Sequence, residues 1–210
     1  MKGAIYMVIT IGREYGSGGK YIGERLAEEL NFKLYDKELL NKVAEESGMD
    51  LNILEEMDEK QEQSFWYTFA MSLYAQDSLE TQGEIPSNEK IFIEQAKIIE
   101  DLAKKEDCII IGRCSNVILR DKPNVLNVFV YSSELDFKVK RKMKYAGYEN
   151  ELEAIKAIER IDKERETYYN YFTKKNWGDR EYYDLMIDTS KIGVDNAVEL
   201  IKEYLKLKKC

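Results

Sequence analysis

The chain predicts an α/β fold, a three-layer α/β/α arrangement with helices on both faces of a five-stranded parallel sheet, and three observations carry that expectation. Strand-like and helix-like stretches alternate along nearly the whole sequence, the order that right-handed crossovers turn into a covered parallel sheet. The run Cys108-Ile109-Ile110-Ile111 is apolar throughout, as a strand buried on both faces must be. The β-branched run Tyr6-Met7-Val8-Ile9-Thr10-Ile11 enters a glycine-rich turn that opens directly onto helical spacing.

That helix covers Tyr21 to Leu30, with Ile22, Leu26, Ala27 and Leu30 on one face. Phe32 to Tyr35 reads as a second short strand closing at Asp36, and Lys37 to Glu46 as the helix after it. Residues 50–88 carry no strand signal and read as a helical insertion, followed by a helix around Glu89 to Lys105. Cys108 to Ile111, Val125 to Tyr131 and Leu185 to Asp188 give the remaining strands. Helical patterns occupy Glu134 to Tyr145, Glu151 to Phe172 and Val194 to Leu207. At 210 residues the chain fits a single domain, 1–210, with a full core, and its two prolines leave no room for a proline-rich linker.

Charge and composition narrow the function. A formal net charge of -8 repels nucleic acid. The basic cluster Lys138, Lys140, Arg141, Lys142 and Lys144 lies in a helical stretch, where a solvated face accounts for it, so no nucleic-acid partner is expected. No apolar run approaches the roughly 20 residues of a membrane span, and the N-terminus lacks a signal peptide's succession of regions. A cytoplasmic protein without a membrane partner is expected. The absence of histidine excludes a Ser-His-Asp triad, a Cys-His dyad and histidine metal ligation. Cys108, Cys114 and Cys210 lack metal-ligand spacing and read as reduced thiols, so no metal-ligating residue is assigned.

The glycine-rich turn carries the chemistry. A phosphate needs several backbone N–H donors converging on it, which glycines permit, and it gains from the N-terminal end of a helix. Gly16, Ser17, Gly18 and Gly19 stand where the first strand turns into the first helix, with Lys20 following as the expected cation for the β- and γ-phosphates and Tyr21 closing the loop. Set on the pattern G-x-x-x-x-G-K-[ST], glycine would stand at Glu14 and a hydroxyl residue at Tyr21. A ligand-free turn and a dinucleotide loop are the alternatives, although Gly12, Gly16, Gly18 and Gly19 do not make G-x-G-x-x-G.

Taken in order, ITIGREYGSGGKYIGERLAEEL, YDKELL, IIIGRCSNVIL and YDLMIDTS resemble the bacterial cytidylate kinase-like family over nearly the whole chain. The resemblance implies a P-loop NTPase fold with a helical acceptor-binding insertion at about 50–88 and a lid at about 146–182. It also implies transfer of the γ-phosphoryl group of ATP, with Mg²⁺, to a small-molecule nucleotide, CMP or dCMP first. A kinase of another small metabolite, and a nucleotide-binding sensor or partner protein with little transfer activity, are the alternatives.

Further site residues follow from that resemblance. Arg113, after the third strand, looks like an acceptor-phosphate arginine; a surface ion pair is the bland reading. Cytidylate kinases carry D-G-R there, and Ile111 takes the aspartate's place. Asp36 corresponds to the aspartate closing their second strand, where it could contact the acceptor or orient a metal-bound water, or merely cap a helix. Lys37 replaces a serine facing the acceptor. Arg160 and Arg165 lie where those kinases have lid arginines that stabilise transition-state charge on closure, with solvated i,i+4 pairing as the alternative. The insertion's aromatic cluster, Phe65 to Tyr74, reads as core or as a surface for a base or a partner.

Overall fold

The computed structural model describes residues 6–36 and 88–208. The helix expected at Lys37 to Glu46, Lys37 itself, the aromatic cluster of the insertion and Cys210 lie outside the described residues.

The sheet has five parallel strands in the order β2-β3-β1-β4-β5: β1 (Val8–Arg13), β2 (Lys33–Tyr35), β3 (Cys108–Ile111), β4 (Val125–Tyr131) and β5 (Leu185–Asp188). The register sets Ile9 between Ile109 and Leu126. The first strand is therefore the middle one, and the turn after it leaves the centre of the sheet's carboxyl edge, where open α/β sheets bind ligands.

Alternation along the strands builds a core on each face. Ile9, Ile11, Ile109, Leu126, Val128 and Val130 meet Ile22 and Leu26 of α1 (Gly19–Leu30) and Ala197, Val198 and Ile201 of α7 (Val194–Leu207). Val8, Cys108, Ile110 and Val125 face the other way, against Ile98, Ile99 and Leu102 of α2 (Asn88–Leu102). Each fully buried Ile or Leu side chain stabilises by about 2 kcal/mol. Thr10 is tolerated at 0% exposure because its hydroxyl donates to Asn127 Oδ1 at 2.7 Å. Burial pushes the Cys108 thiol up to about 12, which keeps it an inert strand filler.

Local signals end the helices where the sheet needs the chain back. Asn31, at φ 55°, closes α1 in a left-handed cap. Asn150 opens α5 (Glu151–Thr173), its side chain accepting from Glu153 N at 3.0 Å. Gly147 terminates α4 (Leu135–Ala146) at φ 72°. The strands β3, β4 and β5 and helix α7 fall on the expected residues, whereas β1 runs two residues later, through Gly12 and Arg13, because both pair with β4. The short helices α3 (Ser115–Ile118) and α6 (Thr189–Ile192) were not expected.

Candidate phosphate site and adjoining cleft

Beyond β1 the chain is held by the sheet for one more residue, Glu14 N donating to Val130 O at 3.0 Å, and then turns. Gly16 and Gly18 take φ of 84° and 93°, backbone that a side chain would strain. Ser17 is fully buried; its hydroxyl donates to Glu14 O at 2.8 Å. Thr189 at the start of α6 clamps the loop, its Oγ1 lying 2.7 Å from Ser17 O and 3.1 Å from Tyr131 O. Gly18 caps α1 without any side-chain hydrogen bond. The leading N–H groups of this helix thus have no capping side chain, which makes the helix start the candidate anion site.

Glu14 does not face that site. Its Oε2 accepts from Ser132 N at 3.1 Å and from Lys138 Nζ at 3.1 Å. Lys138, with a side chain only 12% exposed, also lies 3.7 Å from Asp162 Oδ2. The other carboxylate oxygen of Asp162 accepts the Tyr15 N–H at 2.6 Å. Burial raises the Asp162 carboxyl to about 6, against the pull of Arg165, the Tyr15 N–H and Lys138. The basic cluster on α4 is therefore not the solvated face expected of it. Lys140 is solvated, pairing with Asp136 at 2.6 Å. Lys138 is turned inward, and Lys142 Nζ sits 3.5 Å from the centroid of the Tyr15 ring. Arg141 reaches the loop as well, its Nη2 3.3 Å from where a Gly18 Cβ would stand.

A cleft of about 30 Å³ adjoins the loop, between the carboxyl ends of β1 and β3 and one face of α5. Arg13, Arg113 and Arg165 all line it, together with Tyr168, Tyr169, Trp177 and Tyr183. Arg113 is 8% exposed and lies in left-handed backbone at φ 59°. Gln95 Nε2 fixes this corner, donating to Arg113 O at 3.3 Å and contacting Tyr168 OH at 3.2 Å. Arg165 Nη1 donates to Arg13 O at 3.2 Å. Helical spacing brings Arg165, Tyr168 and Tyr169 to the same side of α5. Burial raises the Tyr168 and Tyr183 phenols far above their ordinary value, so they remain protonated donors. Burial likewise raises the thiol of Cys114, which is no nucleophile here.

The remaining candidates are more dispersed. Lys20 is the second residue of α1 and its side chain is exposed. Tyr21 is exposed too, donating to Asp195 Oδ1 at 3.0 Å, and this hydrogen bond raises its phenol. Asp36 stands at the cleft's edge, 3.8 Å from Arg13 Nη2. Arg160 lies one turn before Glu164 on α5 and pairs with it at 3.0 Å, the i,i+4 arrangement. Ile111 is fully buried beneath α1, its Cδ1 2.9 Å from where a Gly23 Cβ would be, so apolar packing fills that place. Arg13, Lys138 and Asp162 escape sequence reasoning, because a strand end and a charge-rich helix give no sign of which side chains turn inward.

A family model described as cytidylate kinase-like matches residues 8–191. The chain belongs to the cytidylate kinase-like family. It is 26% identical over 207 residues to a cytidylate kinase of Methanopyrus kandleri, covering 95% of this chain and 93% of that one. An uncharacterized protein from Eubacterium ventriosum, solved as a crystal structure, superposes with a TM-score of 0.70 at 31% identity, covering 95% of this chain and 98% of that one. A shikimate kinase from Acinetobacter baumannii, at 12% identity, shares the fold with a TM-score of 0.50 over 97% of this chain and 95% of that one. This cytidylate kinase-like protein is thus a P-loop nucleotide kinase, and kinases of this kind use ATP with Mg²⁺. No helix among the described residues is long and apolar enough to cross a membrane.

The loop suits a polyphosphate, since it leads through positive-φ glycines into a helix start that no side chain caps. Among the described residues no group of three or more acidic or cysteine side chains gathers to hold a metal. A magnesium ion in such a site is carried largely by phosphate oxygens and water; Asp36 and Asp162 each stand 3.8 Å from an arginine that lines the cleft.

Proposed function

We propose that this protein transfers the γ-phosphoryl group of ATP to a nucleoside monophosphate, with CMP or dCMP the first candidate. The observation that carries the reading is the cleft at the carboxyl edge of β1 and β3 that Arg13, Arg113 and Arg165 all line, with the stem of Arg13 packed against Gly19 of the glycine loop. An acceptor whose own phosphate sits beside Arg113 and Arg165 is positioned by charge-assisted hydrogen bonds, bidentate where geometry allows. The rings of Tyr168, Tyr169 and Trp177 back this cleft, whose volume of about 30 Å³ leaves the sugar and base of the acceptor outside it. The loop from Gly16 to Tyr21 cradles the donor phosphates, with Lys20 at its helical end. Asp36 and Lys37 contribute at the acceptor side.

Bound Mg²⁺ supplies charge neutralisation of the triphosphate. The chain's own part is positioning and electrostatics: it aligns donor and acceptor and meets the charge spread over the equatorial oxygens with guanidinium donors. Arg160, paired with Glu164, is the lid arginine that would have to leave this partner to reach the transferring phosphate. A sensor with little transfer loses its main motive, because Glu14 is turned from the loop and neutralised by Lys138. A γ-phosphate transfer screen across nucleoside monophosphates and small phosphorylated or hydroxylated metabolites tests the reading. Turnover of CMP or dCMP above the rest is the expected result. Exclusive turnover of a non-nucleotide metabolite, or tight MgATP binding without transfer to any acceptor, would overturn it.

A further inference from the structure

Two glycines outside the phosphate loop's tightest turn make room for a single side chain. A Cβ at Gly19, the first residue of α1, would lie 2.6 Å from Arg13 Cβ and 3.0 Å from its Cγ. A Cβ at Gly112, at the end of β3, would lie 2.1 Å from Arg13 Nη1. Both distances are ones that real Cβ atoms do not occupy. The stem of Arg13 therefore runs against the helix start, and its guanidinium crosses to the edge of β3. Its side chain is 15% exposed, and the head stands 3.8 Å from Asp36, too far for a hydrogen bond. It faces the cleft that Arg113 and Arg165 also line.

The same geometry bears on the loop's own lysine. Gly18 is the N-cap and Gly19 the first helical residue, so the helix starts on a residue that cannot carry a side chain while Arg13 is in place. Lys20 follows one position later with its side chain exposed. We propose that Arg13 is the cation that grips the transferring phosphoryl group at the boundary between donor and acceptor, the task the loop lysine performs in the G-x-x-x-x-G-K-[ST] pattern. The ligand class is a terminal phosphate of a polyphosphate. Arg13 forms no covalent bond; its planar fork donates hydrogen bonds to phosphate oxygens, which a guanidinium does bidentately and an ammonium does not. Asp36, 3.8 Å from the fork, attracts it by charge without bonding it.

The proposal rests on the phosphotransfer reading, and binding separates the two. Calorimetry with inorganic tripolyphosphate and with MgATP is run on the wild-type chain, Arg13→Met, Arg13→Lys and Lys20→Ala, each first checked for an unchanged melting temperature. Arg13→Met weakens tripolyphosphate binding at least tenfold, Arg13→Lys recovers part of that loss, and Lys20→Ala loses less than Arg13→Met. Should the Arg13 variants not fold, the Arg13 Nε–H resonance of the wild-type chain is followed as tripolyphosphate is added. It shifts on binding if Arg13 grips phosphate, and a resonance that stays put overturns the assignment. Equal affinity of Arg13→Met and wild type, or a larger loss from Lys20→Ala, overturns it as well, leaving the kinase reading intact. Impaired binding by Arg13→Met in a chain that transfers nothing keeps Arg13's role and removes the kinase reading. A wild-type chain that binds no triphosphate overturns both.

Discussion

Lys138 Nζ lies 3.1 Å from Glu14 Oε2, and this pair turns aside the one carboxylate that stands inside the glycine loop. Glu14 would repel a triphosphate if it faced the helix start. Lys138 and the Ser132 N–H hold it on the far side instead, and Lys138 shares its charge with Asp162, which in turn anchors the Tyr15 N–H. The shape of the loop thus depends on a lysine from a helix that enters the sequence more than a hundred residues later.

Lys138→Met removes the shared ammonium and leaves two partly buried carboxylates facing each other. The variant loses on the order of 2–3 kcal/mol of stability and binds MgATP more weakly. Thermal melting and calorimetry check both effects, and adding Glu14→Gln restores part of the loss in each. Unchanged stability in Lys138→Met would show that the pair does not hold the loop.

Gly18→Ala and Gly147→Ala separate strain from packing. Both glycines have positive φ, but a Cβ at Gly18 would meet Val194 Cγ1 at 2.5 Å, whereas one at Gly147 meets nothing within 4 Å. Gly147→Ala costs about 1 kcal/mol of backbone strain. Gly18→Ala costs more than that and also weakens MgATP binding, since the loop must shift. Melting temperatures that fall equally in the two variants would contradict the close approach of α7 to the loop.

Asp162 gives the stability a pH dependence whose sign is fixed. Its folded carboxyl is raised from 3.8 to about 6, chiefly by burial. The folded chain therefore binds this proton more tightly than the unfolded one. The stability it contributes is present below about pH 4 and lost as the pH rises through about 6, at most on the order of 3 kcal/mol. Asp162→Asn keeps an acceptor for the Tyr15 N–H and flattens this part of the stability curve. A slope between about pH 4 and 7 that is the same in both proteins would assign it to other groups.

Arg113→Met acts on acceptor binding. If the guanidinium holds the acceptor's phosphate, the KM for a nucleoside monophosphate rises at least tenfold, about 1.4 kcal/mol, with the KM for ATP nearly unchanged. Steady-state kinetics with each substrate varied in turn measures the split. An equal rise in both would place Arg113 in the general architecture of the site.

Much of the fold can be read from residue patterns, and the limits have physical causes. The runs Cys108 to Ile111 and Val125 to Tyr131 are apolar because helices cover both sheet faces, and such runs have sharp ends in sequence. The end of β1 is less legible: Gly12 and Arg13 look like loop, yet they pair with Phe129 and Val130, and a ladder partner 117 residues away leaves no local mark. Helices of four residues, such as Ser115–Ile118, are too short to display a period. Gly16 and Gly18 announce the loop by their type, because only glycine tolerates that backbone without cost. Lys138 and Arg13 do not, because whether a cation points to water or to a loop is decided by packing between distant elements.

Phosphorus NMR of ATP, Mg²⁺ and CMP incubated with the protein follows the γ-phosphoryl group itself. Loss of the ATP γ-resonance with matching growth of CDP and ADP signals, both slowed at low CMP in Arg113→Met, is the result expected of a nucleotide kinase built on this site. A γ-resonance that persists with CMP, dCMP and every other nucleoside monophosphate, while MgATP remains bound, would contradict it.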